Sequence, residues 1–148
     1  MARRARAVST ARARHLPSDT MVAVPPTPGF RPVAIKITCG AEAAERANQA
    51  WTVAATAIAS GADVAVWLTG EAVWFAVVGR QPDLELEHAT PVAELIEAVR
   101  SSGRIVVCTQ CAARRELTLG DLIEGATIAG AATFVEAVLG PQTQALVY

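Results

Sequence analysis

The sequence predicts an α/β fold, a three-layer α/β/α sandwich with a mainly parallel five-stranded sheet. From Val33 onwards, short runs of β-branched residues alternate with alanine-rich stretches whose apolar residues recur at helical spacing. Parallel strands need crossover connections of this kind, so the alternation indicates βαβ units rather than hairpins. At 148 residues, 52% of them apolar, the chain is long enough to bury one core.

The first half of the domain predicts two strands with a helix between them. Residues 33–38 alternate Val, Ile and Thr and predict the first strand, and residues 41–60 carry alanines and Trp51 on one helical face that ends at Gly61. Residues 63–68 predict the second strand. Thr69 and Gly70 follow it and lead into a short apolar helix over residues 71–78.

The second half continues the alternation. After an exposed connection over residues 79–90, Pro91 begins a helix that ends near Gly103, and residues 104–107 form the third strand. The remaining predicted elements are a short helix near 112–116, a helical turn at 120–124, a strand at 126–129, a helix at 131–139 and a fifth strand at 144–148.

The first 32 residues differ from the rest in charge and composition. They carry six arginines against Asp19 alone, about +5, whereas the remainder carries seven bases against thirteen acids, about −6. Their Ala-Arg repeats and prolines offer too little apolar surface to offset the entropy of ordering. We therefore expect a disordered arm at 1–32 and a folded domain at 33–148.

Charge and hydropathy exclude several classes of partner. The net charge of −1 provides no overall field for binding nucleic acid or an anionic membrane. Acidic residues and glycines interrupt the most apolar long window, around 53–74, so no transmembrane helix is expected. Three cysteines are too few for a disulfide framework and favour a reducing, cytoplasmic compartment.

Candidate functional residues gather where the predicted strands end. Binding and chemistry in an open parallel sheet concentrate beyond the carboxyl ends of the strands. Three segments share that edge, and they hold every cysteine of the chain: Thr38-Cys39-Gly40, Thr69-Gly70-Glu71 and Cys108 through Cys111. Cys39 is expected to be a small packed residue, and Glu71 is expected at a helix start, where it could form part of a pocket wall.

Cys108 and Cys111 form a Cys-x-x-Cys motif at the end of the third strand. A thiolate there would be stabilised by the amino end of the following helix and by Arg114 and Arg115. Two inert buried cysteines are the alternative interpretation. Thioredoxin-like exchange is disfavoured because no proline occurs between Cys111 and Pro141.

Metal and nucleotide sites are weakly supported. Structural zinc needs four Cys or His ligands, and this chain offers only the three cysteines, His15 and His88, without paired spacing beyond the motif. Neither glycine-rich phosphate motif occurs. No cofactor or metal is therefore implied. Besides thioredoxin-like exchange and zinc binding, the third possible use of the two thiols is as a persulfide carrier.

The order and spacing of several segments over 33–148 resemble the DsrE/DsrF-like sulfur-relay family. They are Thr38-x-Gly40, Ala44-Glu45-Arg46-Ala47, Leu68-Thr69-Gly70-Glu71-Ala72-Val73, Val107-Cys108 with Arg114-Arg115, and Gly125-x-x-Ile128-x-Gly130-Ala131. The resemblance implies the family's five-stranded DsrE-like α/β/α domain, a homo-oligomer, a donor or acceptor protein as partner, and Cys108 as the sulfur carrier. This chain has Glu116 where relay members continue the arginine pair with Gly, and Cys111 lies outside the relay pattern.

Two functions from different classes remain. In the first, Cys108 carries a persulfide or reactive thiolate, and Cys111 resolves it by forming a disulfide. In the second, a non-catalytic oligomeric module binds a small molecule near Cys39, Thr69 and Cys108 without thiol chemistry. The pKa of the Cys108 thiol discriminates them, because a carrier needs a value below that of a free thiol.

Overall fold

The computed structural model describes residues 29–148, in which five strands form one all-parallel sheet in the order β4-β3-β2-β1-β5. The predicted α/β class and five-stranded sheet are confirmed. Residues 1–28 of the predicted arm lie outside the described residues, so the arm and its boundary with the domain stay predictions.

The helices and strands follow the predicted order. The strands are β1 (Val33–Ile37), β2 (Val64–Leu68), β3 (Arg104–Cys108), β4 (Thr127–Ala129) and β5 (Gln144–Val147), and the α-helices are α1 (Ala44–Ala59), α2 (Val92–Ser102), α3 (Thr109–Arg114) and α4 (Ala131–Leu139). Short 3-10 helices occupy Ala41–Ala43, Gly70–Ala76 and Leu119–Asp121. The segment predicted as a short helix at 71–78 is thus a 3-10 helix, and the helix expected near 112–116 begins earlier, at Thr109.

Large aliphatic and aromatic residues pack on one face of the sheet, beneath α1 and α2. The central strands point Ile35, Val66 and Val107 to this side, and all three are fully buried. Trp51 of α1 is also fully buried and meets the ring of Phe75 edge-on, with the centroids 5.7 Å apart. This face holds most of the apolar surface that stabilises the domain.

The opposite face is smaller and is covered by α4. Because β4 and β5 lie at opposite edges, α4 must cross β3, β2 and β1 between them. Trp67 meets Phe134 of α4 edge-on, with the centroids 5.2 Å apart. The other buried residues of this cluster are Ala65 and Val106, so the layer contains few large side chains. Lys36 of β1 lies on the same face, with its ammonium 5.2 Å from the centre of the Phe134 ring.

Candidate functional site

Hydrogen bonds join the loops at the carboxyl ends of the three central strands. The amide N–H of Thr69, after β2, donates to the carbonyl of Ile37 in β1 at 3.0 Å. The amide N–H of Gly70 donates to Cys111 Sγ at 3.2 Å, which links the β2 loop to α3. The predicted site segments after β2 and β3 are therefore brought together around Cys111.

Gly70 has a backbone conformation that its neighbours require. Its φ of +57° lies in the left-handed region, and a Cβ at this position would lie 2.7 Å from the carbonyl oxygen of Thr38. Any other residue would clash with β1 and strain the turn. The close approach of the two loops directs the Gly70 N–H towards Cys111.

Cys108 lies at the N-cap of α3. The sequence interpretation put the helix start after Cys111, but α3 begins at Thr109, so Cys108 itself adjoins the free N–H groups of the first turn. Burial raises the pKa of this half-buried thiol, but hydrogen bonds from the Cys111 amide and thiol and from the Gln110 amide, together with the Lys36 charge, bring the pKa below its ordinary value. A lowered pKa increases the thiolate fraction near neutral pH.

A small pocket opens beside Cys108. Its volume is about 60 Å³. The residues that line it, besides Cys108, are Lys36, Trp67, Thr69, Ala129, Gly130, Ala131 and Phe134. Lys36 is the charged member of an otherwise mostly apolar lining. The pocket therefore places one ammonium group and one thiol in the same confined space.

Cys111 is buried, with 7% of its surface exposed. It lies within the first turn of α3, three residues after Cys108, and accepts the hydrogen bond from Gly70 described above. A half-buried thiol with a lowered pKa next to a buried thiol is an arrangement in which the first can react with a substrate and the second can attack the product.

Arg115 binds groups other than the Cys108 thiol. Its guanidinium forms an ion pair with Glu71 Oε1 at 2.5 Å and donates to the carbonyl of Cys111 at 3.2 Å. Trp74 donates from its indole to the second oxygen of Glu71 at 3.0 Å. The hydrogen bond from Arg115 and then that from Trp74 lower the pKa of Glu71. Glu71 thus ties the loop after β2 to α3.

A positive charge from β1 acts on the Cys108 thiol. Arg115 is occupied by Glu71 and Cys111, and Arg114 is exposed on α3. The cation whose charge lowers the pKa of Cys108 is Lys36, which sequence spacing cannot connect with β3. Arg115 therefore supports the position of α3 and the Glu71 loop.

Cys39 and Gly40 do not line the pocket beside Cys108. Cys39 is 4% exposed and belongs to the large core cluster. Burial raises the pKa of its thiol, and the charge of Arg46 only partly opposes this effect. Gly40 packs against Glu71, since a Cβ there would lie 3.0 Å from the Glu71 carbonyl oxygen. Gly40 therefore positions the neighbouring loop, and Cys39 packs in the core.

Glu116 occupies a position that suits glycine. Its φ is +56°, and its amide donates to the carbonyl of Ala113 while the amide of Leu117 donates to that of Ala112. These two hydrogen bonds form a Schellman motif at the end of α3, in which the left-handed residue is usually Gly. Glu116 keeps that backbone conformation despite its side chain.

Sequence reasoning missed Lys36 and the α4 wall of the pocket. Lys36 is the single lysine of a chain that otherwise uses arginine, and it interrupts an apolar strand. Both features are visible in the sequence and mark it as unusual. The contact with Phe134 could not be found in this way, because it depends on the path of α4 across the sheet.

The described part of the chain lacks two other features. Within residues 29–148, no group of three or more His, Cys, Asp or Glu side chains is placed to hold a metal ion. No helix in the same part of the chain has the length and apolar character needed to cross a membrane.

Comparisons with known proteins agree with this architecture. A model of the DsrE/DsrF-like family matches residues 32–140. The crystal structure of the ychN protein from E. coli is similar, with a TM-score of 0.67 and 16% identity over 80% of this chain and 100% of that one. A protein of unknown function from Methanobacterium thermoautotrophicum, MTH1491, has a TM-score of 0.61 and 11% identity over the same shares. A search of curated proteins gives no match.

Proposed function

From the premise that this chain belongs to the DsrE/DsrF-like family, we propose that it takes part in cytoplasmic sulfur transfer, with Cys108 as the persulfide carrier. The observation that carries the proposal is the state of Cys108: it is half-buried, lies at the N-cap position of α3 and has a lowered pKa, whereas Cys39 is buried with a raised pKa. Of these two thiols, Cys108 is the one that is both reachable and activated.

The transfer is a thiol exchange at sulfur. The Cys108 thiolate attacks the outer sulfur of a donor persulfide, R–S–SH, so that a new bond forms at Cys108 Sγ and the donor S–S bond breaks. The donor leaves as the thiolate R–S⁻, and Cys108 holds –S–SH. The reverse reaction with an acceptor thiolate delivers the sulfur. No net oxidation occurs, so the donor and acceptor suffice without a cofactor.

Cys111 is proposed to resolve Cys108. Attack of the Cys111 thiolate on Cys108 Sγ forms a Cys108–Cys111 disulfide and releases HS⁻ from a persulfide, or water from a sulfenic acid once a proton is supplied. The position of Cys111 supports this step, because it lies three residues after Cys108 in the first turn of α3 and contributes to the lowered pKa of the Cys108 thiol. Peroxide treatment should yield a reducible disulfide between these residues. Two free thiols after that treatment would contradict the resolving role.

We further propose that copies of the chain associate. Apolar side chains are exposed on α4 and β5, with Val135 at 47%, Leu139 at 78% and Val147 at 66% exposure. Exposed apolar surface of this kind is more common at protein interfaces than on monomers. Sedimentation equilibrium tests this association, and Leu139→Glu should shift the distribution towards the monomer. A monomer at all concentrations would contradict it. Nucleic acid and membranes are not proposed as partners.

The carrier mechanism is tested by intact-mass spectrometry after exposure to inorganic polysulfide. Cys111→Ser, which cannot resolve a persulfide, should gain about one sulfur atom, and Cys108→Ser should gain none. Wild type should show the same adduct or, after resolution, the Cys108–Cys111 disulfide with the loss of two hydrogen atoms. Cys39→Ser combined with Cys111→Ser is the matched control, since it removes a thiol from the same sheet edge and should leave the gain unchanged. A persistent adduct on Cys108→Ser, or none on Cys111→Ser, would overturn the proposal.

The pocket volume argues against the binding module. Sites for organic ligands typically enclose about 300–1,000 Å³, whereas the pocket beside Cys108 encloses about 60 Å³. The geometry around Cys108 therefore supports thiol chemistry over small-molecule binding.

A further inference from the structure

Lys36 is in an unusual environment for a lysine. It is half-buried on the α4 face of β1, between strands whose neighbouring side chains are apolar, and its ammonium lies over the Phe134 ring. The ion pairs found within residues 29–148 do not include it. Removing an ammonium from water without a carboxylate partner is unfavourable, and the contact with one aromatic ring offsets only part of that cost. An anion in the pocket would supply the missing partner.

The pocket suits a small anion. One water molecule needs about 10–15 Å³ on this measure of cavity volume, so a space of about 60 Å³ has room for an added sulfur atom and a few water molecules. Trp67, Phe134 and Ala131 form apolar walls that suit a large polarisable atom. Cys108 lines this space and the charge of Lys36 acts on its thiol, so an atom bonded to the Cys108 sulfur has the pocket beside it.

We propose that Lys36 is a positioning residue that holds the negatively charged outer sulfur of a Cys108 persulfide inside this pocket. The inference rests on the proposed carrier function and adds the species that is stored, the persulfide anion. The outer S–H of a persulfide is a stronger acid than a thiol, so after transfer Cys108–S–SH releases its proton to solvent and becomes Cys108–S–S⁻. Pairing with the ammonium then keeps the charged atom between Trp67 and Phe134.

The surroundings of Cys108 leave Lys36 as the charged group in contact with the pocket. β2 contributes Trp67 and Thr69, and β4 and α4 contribute Ala129 to Ala131 and Phe134, none of which titrates. From α3, the titratable neighbour is Cys111. Glu71 and Arg115 lie beyond Cys111 and pair with each other. Changes that follow removal of the ammonium can therefore be separated from those due to other charges.

The experiment compares Lys36→Met with Lys36→Arg and with Arg104→Met. Met keeps the length of the side chain without its charge, and Arg restores the charge. Arg104 starts β3, at the far end from Cys108, and pairs on the surface with Asp63 at 3.1 Å, so its removal controls for the loss of one positive charge. Circular dichroism establishes that each variant is folded.

Two readouts are taken at Cys108 by peptide mass. The first is the rate of alkylation by neutral iodoacetamide against pH. The second is the lifetime of the persulfide after polysulfide is removed, measured with Cys111→Ser present in every variant so that Cys111 cannot resolve it. In Lys36→Met, we expect the alkylation midpoint to rise by about half to one pH unit, which makes alkylation about three- to tenfold slower below the midpoint. The persulfide should also be lost faster. Lys36→Arg and Arg104→Met should stay close to wild type.

The outcomes separate this inference from the proposed function. If Cys111→Ser gains sulfur but Lys36→Met matches Arg104→Met in both readouts, the role of Lys36 is overturned and the carrier stands. If Cys111→Ser gains no more sulfur than Cys108→Ser, the carrier is overturned and the storage of a persulfide with it. A midpoint that rises equally in Lys36→Arg would show a packing effect and would also overturn the inference.

Discussion

Replacing Glu116 by Gly should stabilise the protein. The residue ends α3 in a left-handed conformation, with φ of +56°, where an L side chain crowds its own backbone. That conformation costs about 1–2 kcal/mol for a residue other than glycine. Gly avoids this cost, but the greater freedom that it gives the unfolded chain lowers the stability by about 0.4–1 kcal/mol. The expected net gain is about 0.5–1 kcal/mol in the free energy of unfolding. The resemblance points the same way, since relay members carry Gly after the arginine pair.

Two control variants isolate the backbone effect. Glu116→Ala removes the same charge but keeps a Cβ, so its stability should stay close to wild type. Glu124→Gly introduces glycine at an exposed position without a positive φ, and should lose about 0.4–1 kcal/mol. Urea unfolding followed by circular dichroism gives all three values. If Glu116→Gly were no more stable than Glu116→Ala, the reasoning from the left-handed conformation would be refuted.

Two further predictions concern the loop after β2. Gly70→Ala should lower the free energy of unfolding by about 2–3 kcal/mol, because it combines a positive φ with a contact to Thr38 O. Gly79→Ala shares the positive φ, +70°, but meets no atom within 4 Å, so it should lose only about 1 kcal/mol in the same urea assay. Equal losses would show that the contact with β1 is unimportant. The lowered pKa of Glu71 means that its ion pair stabilises the fold above the unfolded-state pKa and ceases to do so as pH falls through the folded-state pKa. Since the Glu71 side chain is 51% exposed, Glu71→Gln should cost less than about 1 kcal/mol at pH 7, and this cost should disappear as the pH falls through the folded-state pKa. Glu136→Gln on exposed α4 is the control, and a cost that does not shrink on acidification would contradict the charge interaction.

The sequence predicted the architecture well because its patterns are local. Each strand is a short β-branched run, and the helices are marked by apolar spacing and by punctuation such as Pro91 and Gly103. The predicted start of α3 was three residues too late, because Cys108-Thr109-Gln110 has no strong helix signal. Tertiary contacts through Cys111 determine where this helix begins. The β2 and β3 loops could be assigned to one edge from the parallel topology alone.

The composition of the pocket could not be predicted in this way. Lys36 and Phe134 are far apart in sequence and meet only because α4 crosses the sheet from β4 to β5. The spacing of Arg114 and Arg115 after the cysteines suggested support for the thiolate, but a side chain on a helix is aimed by its neighbours. Arg115 is directed to Glu71, which no local pattern reveals.

The pairing of β5 with β1 has a consequence for the order in which the protein can fold during synthesis. The backbone of Tyr148 bonds to Lys36 and Thr38, and the partner of Thr38 lies 110 residues further along the chain. Until the ribosome has released that segment, the outer edge of β1 stays open with its amide and carbonyl groups unpaired. An open edge on an apolar strand is a template for pairing with another nascent chain. Stalled or truncated chains that lack β5 would therefore be the form most prone to aggregate.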